Sequence, residues 1–284
     1  MPRGVYARKP SSPSLKGNLD KMMTVQSTPA IVETDEQIEA KLTERFEVLS
    51  EMTQAAVEGD VRALIVSGPA GLGKSHTVEQ TVAANGISEE SIIKGYVKAT
   101  GLFKLLYQHR QAGQVLVFDD ADSVFFDDTS ITFLKAVLDS NNRRTVSYMS
   151  EGSLIDDETA ERLPKSFQFD GTIIFITNLD FDQMIARGHK LAPHLQAFIS
   201  RAHYIDLAMK NTRDYLVRIR MVMKEGLLDK LGLDKSAQDD VMDFIETNQD
   251  KLRELSLRMA LKIGTHRRKG GNWQRKARVT CCKN

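Results

Sequence analysis

Cysteine is scarce in this chain of 284 residues: Cys281 and Cys282 are the only two, and they are neighbours. With no cysteine elsewhere to pair with and no second pair for a zinc site, they indicate a reducing compartment. The chain also lacks any apolar run near the roughly 18 residues that a membrane span needs. No apolar stretch follows the first residues, which argues against a secretory signal. We therefore expect a cytoplasmic protein without a membrane partner.

A strong charge of either sign is missing as well, since the formal net charge is +1. This balance argues against bulk attraction to nucleic acid or membrane, although local patches remain open. Apolar residues make up 41% and charged residues 27% of the chain, which is typical of a globular protein. Residues 1–30 differ, because they are rich in Pro, Ser, Lys and Gly, and this composition predicts a mobile tail.

What the sequence does contain is the stretch GPAGLGKS at 68–75, preceded by an apolar β-branched run and followed by a helical segment from Lys74 to about Ala84. The pattern G-x-x-x-x-G-K-[ST] between a strand and a helix is typical of a phosphate-binding loop. Glycines permit positive φ, backbone N–H groups form an anion-binding concavity, and the helix N-terminus adds partial positive charge. Lys74 is expected to reach the β- and γ-phosphates, and the Ser75 hydroxyl to bind Mg²⁺. The predicted nucleotide contacts of the loop are Gly68, Pro69, Ala70, Gly71, Leu72, Gly73, Lys74, Ser75 and His76.

Two adjacent aspartates, Asp119 and Asp120, follow a fully apolar strand at 115–118. In a phosphate-loop protein this is the position of the carboxylate that holds Mg²⁺, usually through water, and we assign that role to Asp119. Asp120 is placed to orient or deprotonate the attacking water. A plain turn-forming carboxylate is the alternative for each, and it is the stronger alternative for Asp120.

Strands alternate with helices as far as residue 207, and only helical periods follow. This order predicts a three-layer α/β nucleotide-binding domain with a parallel sheet at 31–207, then a small all-α lid domain at 208–284. A β-ribbon is expected at 145–149 and 166–169, around a polar loop. The strands predicted for the sheet lie at 63–67, 91–97, 115–118, 172–177 and 203–207.

In their order, GPAGLGKS, VLVFDDAD, TIIFITN, FISRAHYIDL and LSLRMALKI resemble the AAA+ ATPases, a family of P-loop NTPases, over about residues 35–265. Within that family the chain is most similar to small single-ring ATPases carried by bacteriophages, which would place it in the host cytoplasm. The resemblance implies ATP hydrolysis, ATP and Mg²⁺ as cofactors, and a homo-oligomeric ring of six protomers with active sites shared between neighbours.

The resemblance also implies roles for single residues. Asn178 matches sensor 1, which helps to place the attacking water, and Arg258 matches sensor 2, which couples nucleotide state to the lid. Arg201 matches the arginine finger that acts on ATP held by the neighbouring subunit, with Arg187 as the alternative finger. Each has an ordinary structural alternative: a strand-ending asparagine, or an arginine on the surface. The predicted catalytic residues are thus Lys74, Asp120, Asn178 and Arg201.

One position departs from the family, because most members carry glutamate where Asp120 stands. Aspartate is one methylene shorter, so we expect either slow hydrolysis or a small backbone shift that compensates.

The client on which such a ring would act is less sharply indicated. The loop at 98–103 lies where the family places its central-pore loop, so Leu102 and Phe103 either grip a threaded polypeptide or begin the core of a helix. The basic run at 267–278 either binds nucleic acid, with Trp273 stacking on a base, or is a lid helix with Trp273 packed inward. Three functions therefore stay open: a machine that remodels a protein client, which we favour, a helicase-like or clamp-loader-like ATPase on nucleic acid, and a slow nucleotide-dependent assembly switch.

Overall fold

The computed structural model describes residues 33–141, 143–149, 152, 154–156 and 159–283. The mobile tail predicted at 1–30 lies outside these residues. From Asp35 onward the chain forms one compact unit. Among the described helices, none combines the length and the apolar composition that crossing a membrane requires.

A five-stranded parallel sheet forms the centre of this unit, and a separate antiparallel ribbon lies beside it. The strands are β1 (Ala63–Ser67), β2 (Ile92–Lys94), β3 (Val115–Asp119), β4 (Thr145–Ser147), β5 (Ser166–Gln168), β6 (Thr172–Thr177) and β7 (His203–Asp206). The sheet has the order β2-β3-β6-β1-β7, and β4 pairs with β5 to form the ribbon. The three inner strands are buried along their whole length, which explains their continuous apolar sequences.

Ten described helices surround and follow the sheet: α1 (Asp35–Glu58), α2 (Lys74–Ala84), α3 (Ala99–Gln108), α4 (Asp128–Val137), α5 (Phe181–Ala186), α6 (Ala192–Ile199), α7 (Thr212–Lys224), α8 (Lys235–Thr247), α9 (Leu257–Lys269) and α10 (Trp273–Cys281). Alternate residues of β1 enter two different cores. Leu64 and Val66 pack with apolar residues of α1 and α2, whereas Ala63 and Ile65 join a phenylalanine-rich core with α3, α4 and α6. Helices therefore cover both faces of the sheet, and the predicted three-layer α/β fold is confirmed.

In the first half of the chain the structure corrects one prediction in detail and decides between two alternatives that the sequence left open. The second strand ends at Lys94 rather than at 97, because Gly95 adopts a φ of +91° that ends the extended run. Leu102 and Phe103 are 0% and 1% exposed, so they are core residues of α3 and do not form the tip of a loop. Phe103 packs against the rings of Phe133, Tyr148 and Phe167.

After β7 the described chain forms the helices α7 to α10 and no further strand of the sheet, as the sequence predicts. These helices pack around a hydrophobic core of their own, in which the rings of Trp273 and Phe244 are in contact, with 5.5 Å between their centroids. Of the two alternatives for Trp273, the inward-packed one is therefore correct. Cys281 and Cys282 are free thiols buried in the same core. The domain boundaries near 30 and 207 stay predictions.

Candidate nucleotide-binding site

The loop between β1 and α2 adopts a conformation that requires its glycines. Gly71 and Gly73 have φ values of +75° and +100°, in the left-handed region that side chains with a Cβ rarely adopt. Gly73 is the N-cap of α2, and its carbonyl accepts a hydrogen bond from Thr77 N at 3.0 Å. The first backbone N–H groups of α2 have no partner within the helix, so this end of the helix is available to an anion.

Lys74 is the buried cation of this loop, with only 4% of its surface exposed. Its Nζ donates hydrogen bonds to the carbonyls of Gly68 and Pro69 at 2.6 and 2.8 Å, and to Asn178 Oδ1 at 2.9 Å. Burial lowers the pKa of Lys74 to about 8, against the opposing effects of Asp120 and Asp119. The ammonium group is thus held at the mouth of the loop by neutral oxygens, which a phosphate can replace as partners.

Asn178 and Asp120 meet because β3 and β6 are adjacent and their carboxyl ends lie at the same edge of the sheet. Asn178 Nδ2 donates a hydrogen bond to Asp120 Oδ1 at 2.7 Å, while Asn178 Oδ1 accepts from Lys74. The backbone of Asp120 has a φ of +53°, which is uncommon for a residue other than glycine. Lys74, Asn178 and Asp120 therefore form a continuous hydrogen-bonded run.

Asp119 is buried next to this run and contacts the other predicted metal ligand. The Ser75 hydroxyl donates a hydrogen bond to Asp119 Oδ1 at 2.7 Å. Lys94 Nζ lies 3.3 Å from Asp119 Oδ2 and 2.6 Å from Glu79 Oε1. Hydroxyl and carboxylate oxygens at this spacing are the ligands that Mg²⁺ prefers, so Ser75 and Asp119 fit that ion. Sequence reasoning missed Lys94, because the strand predicted at 91–97 places it within the strand and its contact with Asp119 depends on the pairing of β2 with β3.

An open cleft of about 670 Å³ lies between the phosphate loop and the C-terminal helices. One wall consists of loop and α2 residues together with Asp120 and Asn178; the other comes from α7, residues 225–230 and the start of α9. Arg258, in the first turn of α9, lines this cleft and lowers the pKa of Lys74. His76 is exposed at the same cleft. The structure thus brings most of the predicted site residues together.

The C-terminal helices contact the phosphate loop directly. Leu257 N donates a hydrogen bond to the carbonyl of Gly71 at 2.8 Å. A Cβ added to Gly71 would lie only 2.7 Å from Ser256 Cβ. Leu72 turns its side chain into the core, so it can serve a ligand only through its backbone.

Arg218 is a cleft residue that sequence reasoning missed. It is 7% exposed, its Nε donates to the carbonyl of Leu72 at 3.3 Å, and its guanidinium lies 3.5 Å from the centroid of the Phe46 ring. Burial lowers the pKa of Arg218 to about 10. The signal that could have revealed it is an arginine on the inward-facing stripe of α7, between Val217 and Met221.

Neither predicted arginine finger lines the cleft of its own chain. Arg201 precedes β7, so it lies at the amino end of a strand whose carboxyl end faces the cleft, and its Nη1 donates to the carbonyl of Ala197 at 2.9 Å. Arg187 is exposed just after α5. The roles of both residues stay predictions.

No protein-family model matches the chain. Its fold was compared with NtrX from Brucella abortus in complex with ATP, at 14% identity and a TM-score of 0.48, over 84% of this chain and 52% of that one. RuvB from Thermotoga maritima gives 14% identity and a TM-score of 0.46, over 87% and 69% of the two chains. The chain thus spans about half the length of NtrX.

The sequence of this chain is also similar to that of a bacteriophage protein. An uncharacterized 36.7 kDa protein, encoded in the nrdC-mobD intergenic region of Enterobacteria phage T4, is 35% identical over 237 residues, which cover 82% of this chain and 72% of that protein. With this identity over most of both chains, the protein described here belongs to the same family as the 36.7 kDa protein of phage T4.

Proposed function

We propose that this protein is an ATP hydrolase of the AAA+ type, which works as a homo-oligomeric ring of six and remodels a macromolecular client. The observation that carries the proposal is the hydrogen-bonded run of Lys74, Asn178 and Asp120, beside the Ser75–Asp119 pair at the mouth of the cleft. The two free, buried thiols support a cytoplasmic location, which would be the host cytoplasm if a phage encodes the chain.

In this proposal, the loop N–H groups and Lys74 bind the phosphates of ATP, and Ser75 and Asp119 hold Mg²⁺. Bound Mg²⁺ would supply positive charge that neutralises the phosphate oxygens. Asp120 accepts a proton from the attacking water or orients it, and Asn178 fixes the direction of the Asp120 carboxylate. Of the two alternatives for the short side chain of Asp120, slow hydrolysis or a compensating backbone shift, its left-handed backbone supports the second.

The direct test is ATPase activity measured against protein concentration, with and without DNA. We expect activity per protomer to rise with concentration, as a shared site requires, and Lys74→Ala to abolish it. Asp120→Glu tests the short carboxylate: turnover equal to or below that of the wild type would mean that its length is not limiting. Wild-type protein without ATPase activity at any concentration would refute the proposal.

Arg201 is our candidate for the residue supplied in trans, because it lies at the amino end of β7, far along the strand from the cleft of its own chain. Arg201→Ala is expected to retain ATP binding and lose turnover. Mixing it with Lys74→Ala protein should restore part of the activity, since mixed rings contain interfaces with one intact loop and one intact finger. If no mixture recovers activity, Arg201 does not act between subunits.

A protein client is favoured by the loop that follows β2. Tyr96 is 78% exposed there, directly after Gly95. The backbone of the next residue, Val97, is anchored to the segment after Asp120: Val97 N donates to Ser123 Oγ at 2.9 Å, and Ser123 Oγ donates to Val97 O at 3.2 Å. An aromatic side chain projecting from this loop suits contact with an unfolded polypeptide, and Tyr96 replaces Phe103 in this role.

Tyr96→Ala should remove the stimulation of ATPase activity by casein, an unfolded protein, while unstimulated activity stays at the wild-type level. Tyr96→Phe is the matched control, because it retains the aromatic ring, and it should keep the stimulation. Equal stimulation in wild-type and Tyr96→Ala protein would rule out this contact.

Nucleic acid is the weaker candidate client, because the indole that would stack on a base is buried against Phe244. Salt-sensitive stimulation of ATPase activity by DNA would reverse this preference. Very slow turnover with tight ATP binding would instead favour an assembly switch.

A further inference from the structure

The guanidinium of Arg218 is a buried positive charge at the phosphate loop. It lies between the ring of Phe46 and the backbone of Leu72, and its Nη2 would be 3.5 Å from a Cβ built on Gly73. Only 7% of the residue is exposed, and that surface lines the cleft.

Within the described residues, no carboxylate lies within 4.0 Å of Arg218. The other cationic side chains of α7, the helix capped by Asn211, each have a carboxylate within that distance. Arg213 and Arg220 are paired with Asp35, and Arg220 also contacts Glu246 at 2.6 Å. Lys224 lies 3.9 Å from Glu39.

The charged groups near Arg218 do not neutralise it. Glu225 raises the pKa of Arg218 but is exposed and beyond ion-pair distance. Asp214, one turn earlier on α7, is buried and is also beyond ion-pair distance from Arg218; its Oδ2 accepts from Lys210 N at 2.7 Å, and its Oδ1 has no hydrogen-bond partner in the described part of the chain. A buried charge without an opposite charge is costly, and its retention calls for an anion that is bound for at least part of the time.

We propose that Arg218 binds the nucleotide through the phosphates next to the ribose, so that it holds ADP and ATP alike. This inference rests on the proposed function, because it concerns the same cleft. The choice of phosphate follows from position: Lys74 turns toward Gly68, Pro69 and Asn178, whereas Arg218 contacts Leu72 and faces Gly73. Lys74 therefore serves the terminal phosphate, and Arg218 serves the opposite end of the chain of phosphates.

A permanently charged planar fork suits this task, since it donates two parallel hydrogen bonds to phosphate oxygens. Its place on α7 also means that bound nucleotide would link the C-terminal helices to the loop. Arg218 would thus retain ADP after hydrolysis, whereas residues directed at the terminal phosphate would lose their partner.

The test compares wild-type protein with Arg218→Met and Arg218→Lys in two measurements. The first is the affinity for ADP and for a non-hydrolysable ATP analogue, by fluorescence titration. The second is the midpoint of thermal unfolding without nucleotide. Methionine keeps apolar contact with Phe46 but removes the charge, so we expect an unchanged or higher midpoint without nucleotide. Affinity should fall roughly 10- to 100-fold, by the same factor for both nucleotides, as for loss of a hydrogen-bonded charge.

A purely structural role for Arg218 predicts the reverse: a lower midpoint without nucleotide and unchanged affinity, and that result would overturn the inference. A loss confined to the ATP analogue would overturn it too, because it would place Arg218 at the terminal phosphate. Should Arg218→Met fail to fold, Arg218→Lys decides, since lysine keeps the charge but loses the fork; equal affinity to wild type for both nucleotides would then contradict the paired hydrogen bonds to phosphate that the inference assigns to Arg218.

Arg213→Met is the matched control, because Arg213 lies on the same helix, pairs with Asp35 and does not line the cleft. We expect its nucleotide affinities to equal those of the wild type. The wild type separates the two proposals. If it binds neither nucleotide, the proposed function and this inference both fail; if it binds both and Arg218→Met binds them equally well, only the inference fails.

Discussion

Gly71→Ala is expected to separate the phosphate loop from the start of α9. The substitution meets two obstacles that the structure makes explicit. Gly71 has a φ of +75°, which costs an L-residue about 1–2 kcal/mol. The new methyl carbon would also lie 2.7 Å from Ser256 Cβ, and overpacking of this kind costs about 1–3 kcal/mol.

Ser256→Gly tests the second obstacle by itself, because it removes the atom with which the methyl group collides. Ser256 is the N-cap of α9 and accepts a hydrogen bond from Met259 N at 3.1 Å, yet glycine at an N-cap costs only a few tenths of a kcal/mol. The double substitution should therefore recover about 1–3 kcal/mol relative to the sum of the two single losses.

The assay is urea unfolding of four proteins: the wild type, both single variants and the double variant. The expected result is a double variant more stable than Gly71→Ala alone, with the remaining loss set by the left-handed backbone. A double variant whose loss equals the sum of the single losses would refute the reasoning, because it would mean that the loop and Ser256 are not in contact.

Three further changes test separate parts of the site and its surroundings. Burial raises the pKa of Asp122, so its charged form destabilises the fold, and Asp122→Asn should raise the unfolding midpoint at pH 7. The gain should vanish as the pH falls below 3.8, the ordinary pKa of the carboxyl, because the group is then protonated in the folded and the unfolded state alike. A gain that does not depend on pH would contradict this cause. Lys94→Ala removes an ammonium that competes with a metal ion for Asp119, so the affinity for Mn²⁺, measured by EPR, should rise. Because exposed ion pairs are weak, the gain should not exceed about fivefold. A lower affinity for Mn²⁺ would contradict this role of Lys94. Phe103→Ala should cost about 3–5 kcal/mol in urea unfolding, whereas Tyr96→Ala should change stability by less than about 0.5 kcal/mol; similar values for the two would contradict their assigned environments.

The loop after β2 illustrates where sequence reasoning succeeds and where it fails. Apolar residues at 92–97 predict a strand, and β2 does begin at Ile92, but Gly95 ends it and leaves Tyr96 exposed. Phe103, for which the sequence left open a loop tip or a helix core, fills the core beneath the ribbon. Composition gives both positions the same apolar character, and only the packing of distant elements decides which of them is buried.

The sequence by itself determined the phosphate loop, the buried strands and the polar residues at their ends, because each depends on neighbours within a few positions. The glycines of the loop and the adjacent aspartates form short patterns in the sequence, whereas the meeting of Asp120 and Asn178 depends on β3 and β6 being neighbours in the sheet. Only the tertiary structure decided which residues complete the cleft. The contact of Arg218 with Leu72 spans 146 positions and that of Lys94 with Asp119 depends on strand order, so no local pattern encodes either. Burial turns an ordinary helix arginine into an unneutralised charge at the phosphate loop, and burial is a property of the assembled fold.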